Sequence, residues 1–290
     1  MATQNFKLIA ILGPTASGKT GLSIDIAKKY NAEVISADSR AIYKYMDIGT
    51  AKPSKDEQAG IPHWGIDLVG PGQDYSVADY KKYADKKIGD IENRHKLALL
   101  VGGTGLYVDS VLYDFNLAPK NPNVRLIMAD KTIAQLQQII RDNKLQMPEN
   151  LNNKRYLIRA IERGGHPLNK KPISREALII GICPNKTVLQ KRIEKRLDNM
   201  LKIGVVDEIK VCANKYGWDS TAMTGGIYRA FKCYIQATCS IEEAKDSFIK
   251  SDLLLAKRQM TWFKRNKDIH WFDDPKGALV WLDKQIGAKL

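Results

Sequence analysis

The chain has 290 residues, 44% of them hydrophobic, and a formal net charge of +14 from 46 basic and 32 acidic side chains. That length allows one large domain or two small ones around a real core, and the charge excess points to a polyanionic partner, most often nucleic acid. Apolar runs such as Leu97 to Val101 are strand-sized, far short of the ~18 residues of a membrane span, and Met1 to Lys7 lacks a charged-then-apolar leader, so a cytoplasmic protein with no membrane partner is expected.

Leu8–Leu12 reads as a buried strand. It runs into Gly13-Pro14-Thr15-Ala16-Ser17-Gly18-Lys19-Thr20, the pattern G-x-x-x-x-G-K-[ST], and then into a helical pattern from Leu22 to Tyr30. Strand, loop and helix in that order are what this phosphate-binding pattern requires. Its glycines let consecutive N–H groups turn onto an anion, and the helix N-terminus adds a partial positive charge. Lys19 supplies a point charge, and the Thr20 hydroxyl can ligate Mg2+. A di- or triphosphate ligand follows. The motif leaves open whether the phosphate is transferred, hydrolysed or expelled.

Glu33–Ala37 is a second strand, ending at Asp38. Ser76 and Asp79 form a capping-box pattern before a helix with Val77, Tyr80, Tyr83, Ala84, Ile88 and Ile91 on its apolar positions. Leu97–Val101 is wholly apolar, as a buried parallel strand should be, and ends in Gly102-Gly103-Thr104-Gly105. Residues 120–175 carry twelve Lys/Arg against four Asp/Glu, a net +8 and more than half of the chain's total. Pro119 and Pro122 open this segment, and Gly164-Gly165 and Pro172 close it. Amphipathic stretches (Ile133, Leu136, Ile139, Ile140, then Leu157, Ile158, Ile161) make it a small basic helical insertion, 119–176, in an α/β core of 1–118 and 177–290.

Ala177–Cys183 is a further strand, followed by a long helix through Leu189, Ile193, Leu197 and Met200. Thr187 is its expected cap and Gly204 its stop. Glu242 to Lys264 is helical again. Alternating strands and helices imply a parallel sheet covered on both faces. Cys183, Cys212, Cys233 and Cys239 contain no C-x-x-C pair and are expected as reduced thiols. The four scattered histidines suggest no metal site.

Ligands of open α/β sheets bind beyond the carboxyl ends of the strands. The phosphate loop, Asp38 and Gly102-Gly103-Thr104 all fall there. A carboxylate beside a phosphate site suits Mg2+ binding, a general base or a simple helix cap. A motor-type NTPase usually ends the strand equivalent to Leu97–Val101 in a metal-binding Asp. Gly-Gly-Thr in that place argues for a kinase-like core with other chemistry.

Four segments together closely resemble the tRNA dimethylallyltransferase family: the phosphate loop, Asp38-Ser39-Arg40-Ala41-Ile42-Tyr43, Met46 to Pro53 (MDIGTAKP) and Leu100 to Tyr107 (LVGGTGLY). Arg155 to Glu162 (RYLIRAIE), Arg192 to Arg196 (RIEKR) and Ala256 to Trp262 (AKRQMTW) extend the resemblance over nearly the whole chain. It implies a P-loop NTPase-like α/β fold and transfer of a dimethylallyl group from dimethylallyl diphosphate to N6 of the adenosine 3′ to a tRNA anticodon. It implies Asp38 as base, with Lys19, Thr104 and Arg196 also catalytic, and diphosphate and Mg2+ held by residues 13–20 with Thr20 on the metal. It implies tRNA contacts at Asp38, Ser39, Arg40, Ala41, Thr104, Arg125, Arg155, Tyr156, Arg159, Tyr228, Arg229 and Arg258. The anticodon stem-loop is the expected partner, met by a monomer. Ile227 stands where the family usually has Gly, and Leu253 where it commonly has Arg. Prenylation of free adenine nucleotides, a small-molecule kinase and a catalytically silent RNA-binding protein are the competing readings. A free nucleotide would need no +8 segment.

Overall fold

A computed structural model describes residues 6–113, 115, 117, 121–164 and 176–287. The chain divides into two units, Met1–Leu112 with Ile173–Leu290, and Tyr113–Pro172. Pro119, Gly165 and Pro172, expected at the ends of the insertion, lie outside the described residues.

The first unit begins with β1 (Leu8–Leu12), α1 (Lys19–Tyr30), β2 (Ala32–Ser36), the one-turn α2 (Lys55–Gln58), β3 (His63–Trp64), α3 (Val77–Asn93), β4 (Leu97–Gly102) and α4 (Gly105–Leu112). The second unit holds α5 (Pro122–Ala129), α6 (Ile133–Asp142) and α7 (Lys154–Glu162). The first unit resumes with β5 (Ala177–Ile182), α8 (Lys186–Lys202), α9 (Val205–Tyr216), α10 (Gly226–Ala230), α11 (Lys232–Ile235), α12 (Ile241–Phe263), β6 (His270–Phe272) and α13 (Pro275–Gly287). Among the described residues no helix is long and apolar enough to cross a membrane.

Among the described residues six strands run parallel in the order β3-β2-β4-β1-β5-β6. Central strands of such a sheet are covered on both faces and so read as unbroken apolar runs; β1 (LIAIL) and β4 (LALLVG) are buried at every position. Ile9, Ile11, Leu99, Val101, Ile180 and Ile182 point to one face, where Leu22 and Ile26 of α1 and Ala278 and Leu282 of α13 close the core. This is a P-loop NTPase-like sheet, with the phosphate loop leaving its centre.

Local signals mostly held. Ser76 and Asp79 form the capping box of α3. The cap of α8, however, is Asn185, whose side chain accepts from the Val188 N–H at 2.9 Å. Thr187 already lies in the first turn, and Asn on extended backbone places its oxygen over the third amide. Gly204 follows the end of α8 and caps α9 directly. The thiol expectation fails for one pair: Cys233 and Cys239 are disulfide-bonded, with Cα atoms 5.4 Å apart. A turn with positive φ at Ala237 folds the chain back after α11 and brings them together. Cys183 and Cys212 are free thiols.

The second unit has its own core, with Leu136 and Ile140 of α6 against Leu157 and Ala160 of α7. Glu162 ends α7 and accepts from the Asn121 N–H, from Arg125 Nε and Nη2 and from Arg159 Nη1, at 2.5 to 3.0 Å. Burial pushes its pKa up, but the two guanidinium groups and the amide outweigh that and bring it to about 2. Leu136 is fully buried, so Leu136→Ala should destabilise this unit by about 2–5 kcal/mol. The readout is hydrogen-exchange protection in α6 and α7, and unchanged protection would contradict this packing.

Candidate active site

Strand register sets the site. Leu12 pairs with Gly102, and Ser36 with Val101. The phosphate loop, Asp38 and Thr104 therefore emerge together at the carboxyl-terminal end of the strands.

The phosphate loop is tied down from outside. Arg192 of α8 donates to the carbonyls of Ser17 at 2.9 Å and Ala16 at 3.4 Å. Those carbonyls are satisfied on their outer side, which suits a loop whose N–H groups serve an anion. Lys19 Nζ spans the loop to Pro14 O at 2.6 Å and Ser17 Oγ at 3.3 Å. Gln259 of α12 uses both ends of its carboxamide: Oε1 accepts from the Thr15 N–H at 2.9 Å, and Nε2 donates to Gly103 O at 3.0 Å. A Cβ at Gly103 would lie 2.3 Å from that nitrogen, so only glycine admits the strut. Arg196 donates to Thr15 Oγ1 at 2.7 Å and pairs with Asp252. Burial raises the pKa of Asp252; Arg196 opposes that shift and Asp38 adds to it.

Asp38 is held by a second set of bonds. The Ala37 N–H continues the ladder to Val101 O at 2.7 Å, and the Thr104 N–H returns to Ala37 O at 3.1 Å. Thr104 Oγ1 accepts from the Ser39 N–H at 3.0 Å. Asp38 Oδ1 accepts from the Arg40 N–H at 2.8 Å, leaving Oδ2 without a hydrogen-bond partner among the described residues. The turn that follows is not a regular helix, so Asp38 caps no helix.

These groups line one cavity of about 700 Å³. Arg40, Arg192, Arg196, Arg229 and Arg258 are among its lining residues, together with Lys19.

An IPP transferase family model matches residues 41–266, and an isopentenyl transferase model matches residues 6–64. A tRNA dimethylallyltransferase of Thermoanaerobacter sp. (strain X514) is 39% identical, with 93% of each chain covered. The chain belongs to the tRNA dimethylallyltransferase family. The relative from Bacillus licheniformis is 36% identical over 92% of this chain and 90% of its own. The solved tRNA isopentenylpyrophosphate transferase from Bacillus halodurans is 33% identical with a TM-score of 0.75, covering 97% of this chain and 96% of its own. A solved eukaryotic dimethylallyltransferase, 23% identical with a TM-score of 0.81, covers 97% of this chain and 79% of its own and shares the fold.

Most family positions expected from the sequence gather in the cavity: Thr15 to Thr20, Asp38 to Ala41, Thr104, Arg196, Tyr228, Arg229 and Arg258. Gly13 and Pro14 stand behind the lining, Pro14 through its bond to Lys19. Tyr228 is only 1% exposed and donates its hydroxyl to Glu208 at 2.8 Å. Arg125, Arg155, Tyr156 and Arg159 belong to the second unit. Arg125 and Arg159 share Glu162, whereas Arg155 and Tyr156 are exposed. Arg192, Gln259, Asp252 and Glu208 were missed. The first two lie inside quoted family segments, and that was the available signal. Nothing local marks Asp252 or Glu208.

Burial lowers the Lys19 pKa from 10.5 to about 8; Asp38 opposes the shift and Arg196 adds to it. Charged Lys19 is thus disfavoured by its burial, and the folded protein gains stability as pH rises from about 8 to 10.5, where the unfolded chain still holds the proton. A bound diphosphate favours the charged form, so binding takes up a proton above that lower pKa. Relative to Lys19→Arg, which stays charged, wild-type affinity for inorganic diphosphate should fall by up to about tenfold per pH unit above about pH 8. Calorimetric titration across that range checks it, and parallel pH profiles for the two proteins would contradict it.

Proposed function

We propose that this protein transfers the dimethylallyl group of dimethylallyl diphosphate to N6 of the adenosine 3′ to the anticodon in tRNA, releasing diphosphate. The observation that carries this reading is Asp38, which lines the same cavity as the phosphate loop and has one carboxylate oxygen without a hydrogen-bond partner among the described residues. The names of the relatives above supply the reaction class.

The exocyclic N6 is a weak nucleophile because its lone pair is delocalised into the ring. It attacks the first carbon of the allyl group as the bond from that carbon to the diphosphate oxygen breaks. The bonding pair leaves on the diphosphate, and the N6 proton passes to Asp38 Oδ2. Charge grows on the departing oxygen, where fixed donors are worth most. The loop N–H groups, Lys19 and Arg196 stand there. Arg196 is already aimed by Thr15 and Asp252. Thr104 keeps the Asp38 turn in place through the Ser39 N–H.

Mg2+ fits this donor set. It takes hard oxygens and is usually bound through one or two protein groups plus substrate phosphates and water. The Thr20 hydroxyl in the cavity lining is such a group. When bound, the ion neutralises charge on the leaving diphosphate.

The adenine must leave its stack to reach Asp38. Exposed Arg229 and Arg258 line the cavity and suit the phosphates flanking an extruded nucleotide. The +8 segment suits the rest of an anticodon stem-loop, with Arg155 and Tyr156 its most available contacts, since Glu162 already takes Arg125 and Arg159.

Incubation with dimethylallyl diphosphate and equal concentrations of an anticodon stem-loop and AMP should yield prenylated RNA; preference for AMP would overturn the reading. Asp38→Asn should retain RNA affinity while lowering the single-turnover rate by about 10²–10⁴. An unchanged single-turnover rate would remove Asp38 from the base role.

A further inference from the structure

Glu208, in the first turn of α9, takes four hydrogen bonds. Oε2 accepts from the Asp47 and Ile48 N–H groups at 2.7 Å each, and Oε1 from the Gly49 N–H and the Tyr228 hydroxyl at 2.8 Å each. Three consecutive amides turned onto one anion make a nest, and bonds to a carboxylate are roughly twice as strong as neutral ones. Packing leaves no slack. A Cβ at Gly49 would lie 2.6 Å from the Tyr228 oxygen, so only glycine lets the ring come this close. Burial, with Glu208 adding to it, raises the Tyr228 pKa far above the ordinary phenol value, so the hydroxyl keeps its proton and donates. At the other end of the turn, Lys52 Nζ binds Tyr43 O, Asp47 Oδ1 at 2.6 Å and Asp67 Oδ1 at 2.7 Å.

What this clasp supports is cavity wall. Gly49, Thr50, Ala51 and Lys52 line the cavity together with Ser39, Arg40 and Ala41. Ile48, Gly49, Thr50 and Ala51 are at least partly exposed, while Tyr228 behind them is not. The phosphate loop is tethered by other residues, Arg192 and Gln259, and the four bonds of Glu208 all go elsewhere. The two ends of the cavity are therefore braced independently.

We propose that Glu208 is a positioning residue for the RNA substrate: it fixes the 47–49 turn on Tyr228 as the wall that seats the target nucleotide, and it has no part in holding the diphosphate. The inference rests on the tRNA-directed reading above. Tyr228 then serves the RNA from beneath, as a pillar whose hydroxyl is already engaged.

The test compares wild type, Glu208→Gln and Tyr228→Phe in the full chain, measuring KM separately for an anticodon stem-loop and for dimethylallyl diphosphate, with thermal melting alongside. In Glu208→Gln an NH2 group faces donors. The RNA KM should rise about tenfold in Glu208→Gln and about threefold in Tyr228→Phe, with the diphosphate KM changed less than about twofold. A merely structural fault would raise both KM values together, and that result, or an unchanged RNA KM, would overturn the proposal. Tyr228→Phe removes a single hydrogen bond, so it carries the same split if Glu208→Gln does not fold. Wild type that forms no prenylated RNA would overturn the tRNA-directed reading itself, a different outcome from any failure of Glu208.

Discussion

Leu12 opposite Gly102 and Ser36 opposite Val101 bring β1, β2 and β4 to a common end, and every reacting group depends on that line. The central strands β1 and β4 are apolar and buried at every position, so they fix the frame by packing and supply no reacting side chain. Function begins one or two residues beyond the ends of these strands. The phosphate loop starts at Gly13, the carboxylate stands at Asp38, and Thr104 reaches back to hold the Asp38 turn. A slip of one residue in β2 would reverse its side chains to the other face and take Asp38 out of the cavity.

The long C-terminal helices act on this line from outside. α8 and α12 supply Arg192, Arg196 and Gln259 to the phosphate end, and α9 with α10 supplies Glu208 and Tyr228 to the opposite wall. Positive charge is concentrated but not idle. Arg192 is committed to loop carbonyls, and Arg196 is shared between Thr15 and Asp252. Lys19 is held at an ammonium cost that a diphosphate would relieve. The cavity is thus electrostatically prepared for an anion that arrives and leaves.

Much of this was written locally. The phosphate loop, the apolar strands, the Ser76 cap and Asp38 each depend on residues within a few positions, and pattern alone finds them. Three of the four bonds to Glu208 come from residues about 160 positions away and the fourth from 20 positions away, and no local pattern encodes them. Asp252 looks like an ordinary polar residue of an amphipathic helix until Arg196 is placed beside it. Arg125 reads as free positive charge because its pairing with Glu162 forms only when α5 folds against α7, whereas Arg159 meets the same Glu162 three residues on along α7, a spacing already legible in the sequence. The Cys233–Cys239 bond was obscured differently: an expected reducing environment was allowed to outweigh a six-residue separation that a single turn could close.

The central claim is that the phosphate loop holds a leaving group, and that the transferred atom is carbon. Cleavage of the donor distinguishes this directly. Dimethylallyl diphosphate labelled with heavy oxygen at the bridge between carbon and phosphorus would be turned over with tRNA, and the products analysed by mass spectrometry. The account predicts all of the label in released diphosphate and a dimethylallyl increment on adenosine. Label retained in dimethylallyl alcohol with diphosphate on the acceptor, or in dimethylallyl monophosphate with phosphate on the acceptor, would contradict it.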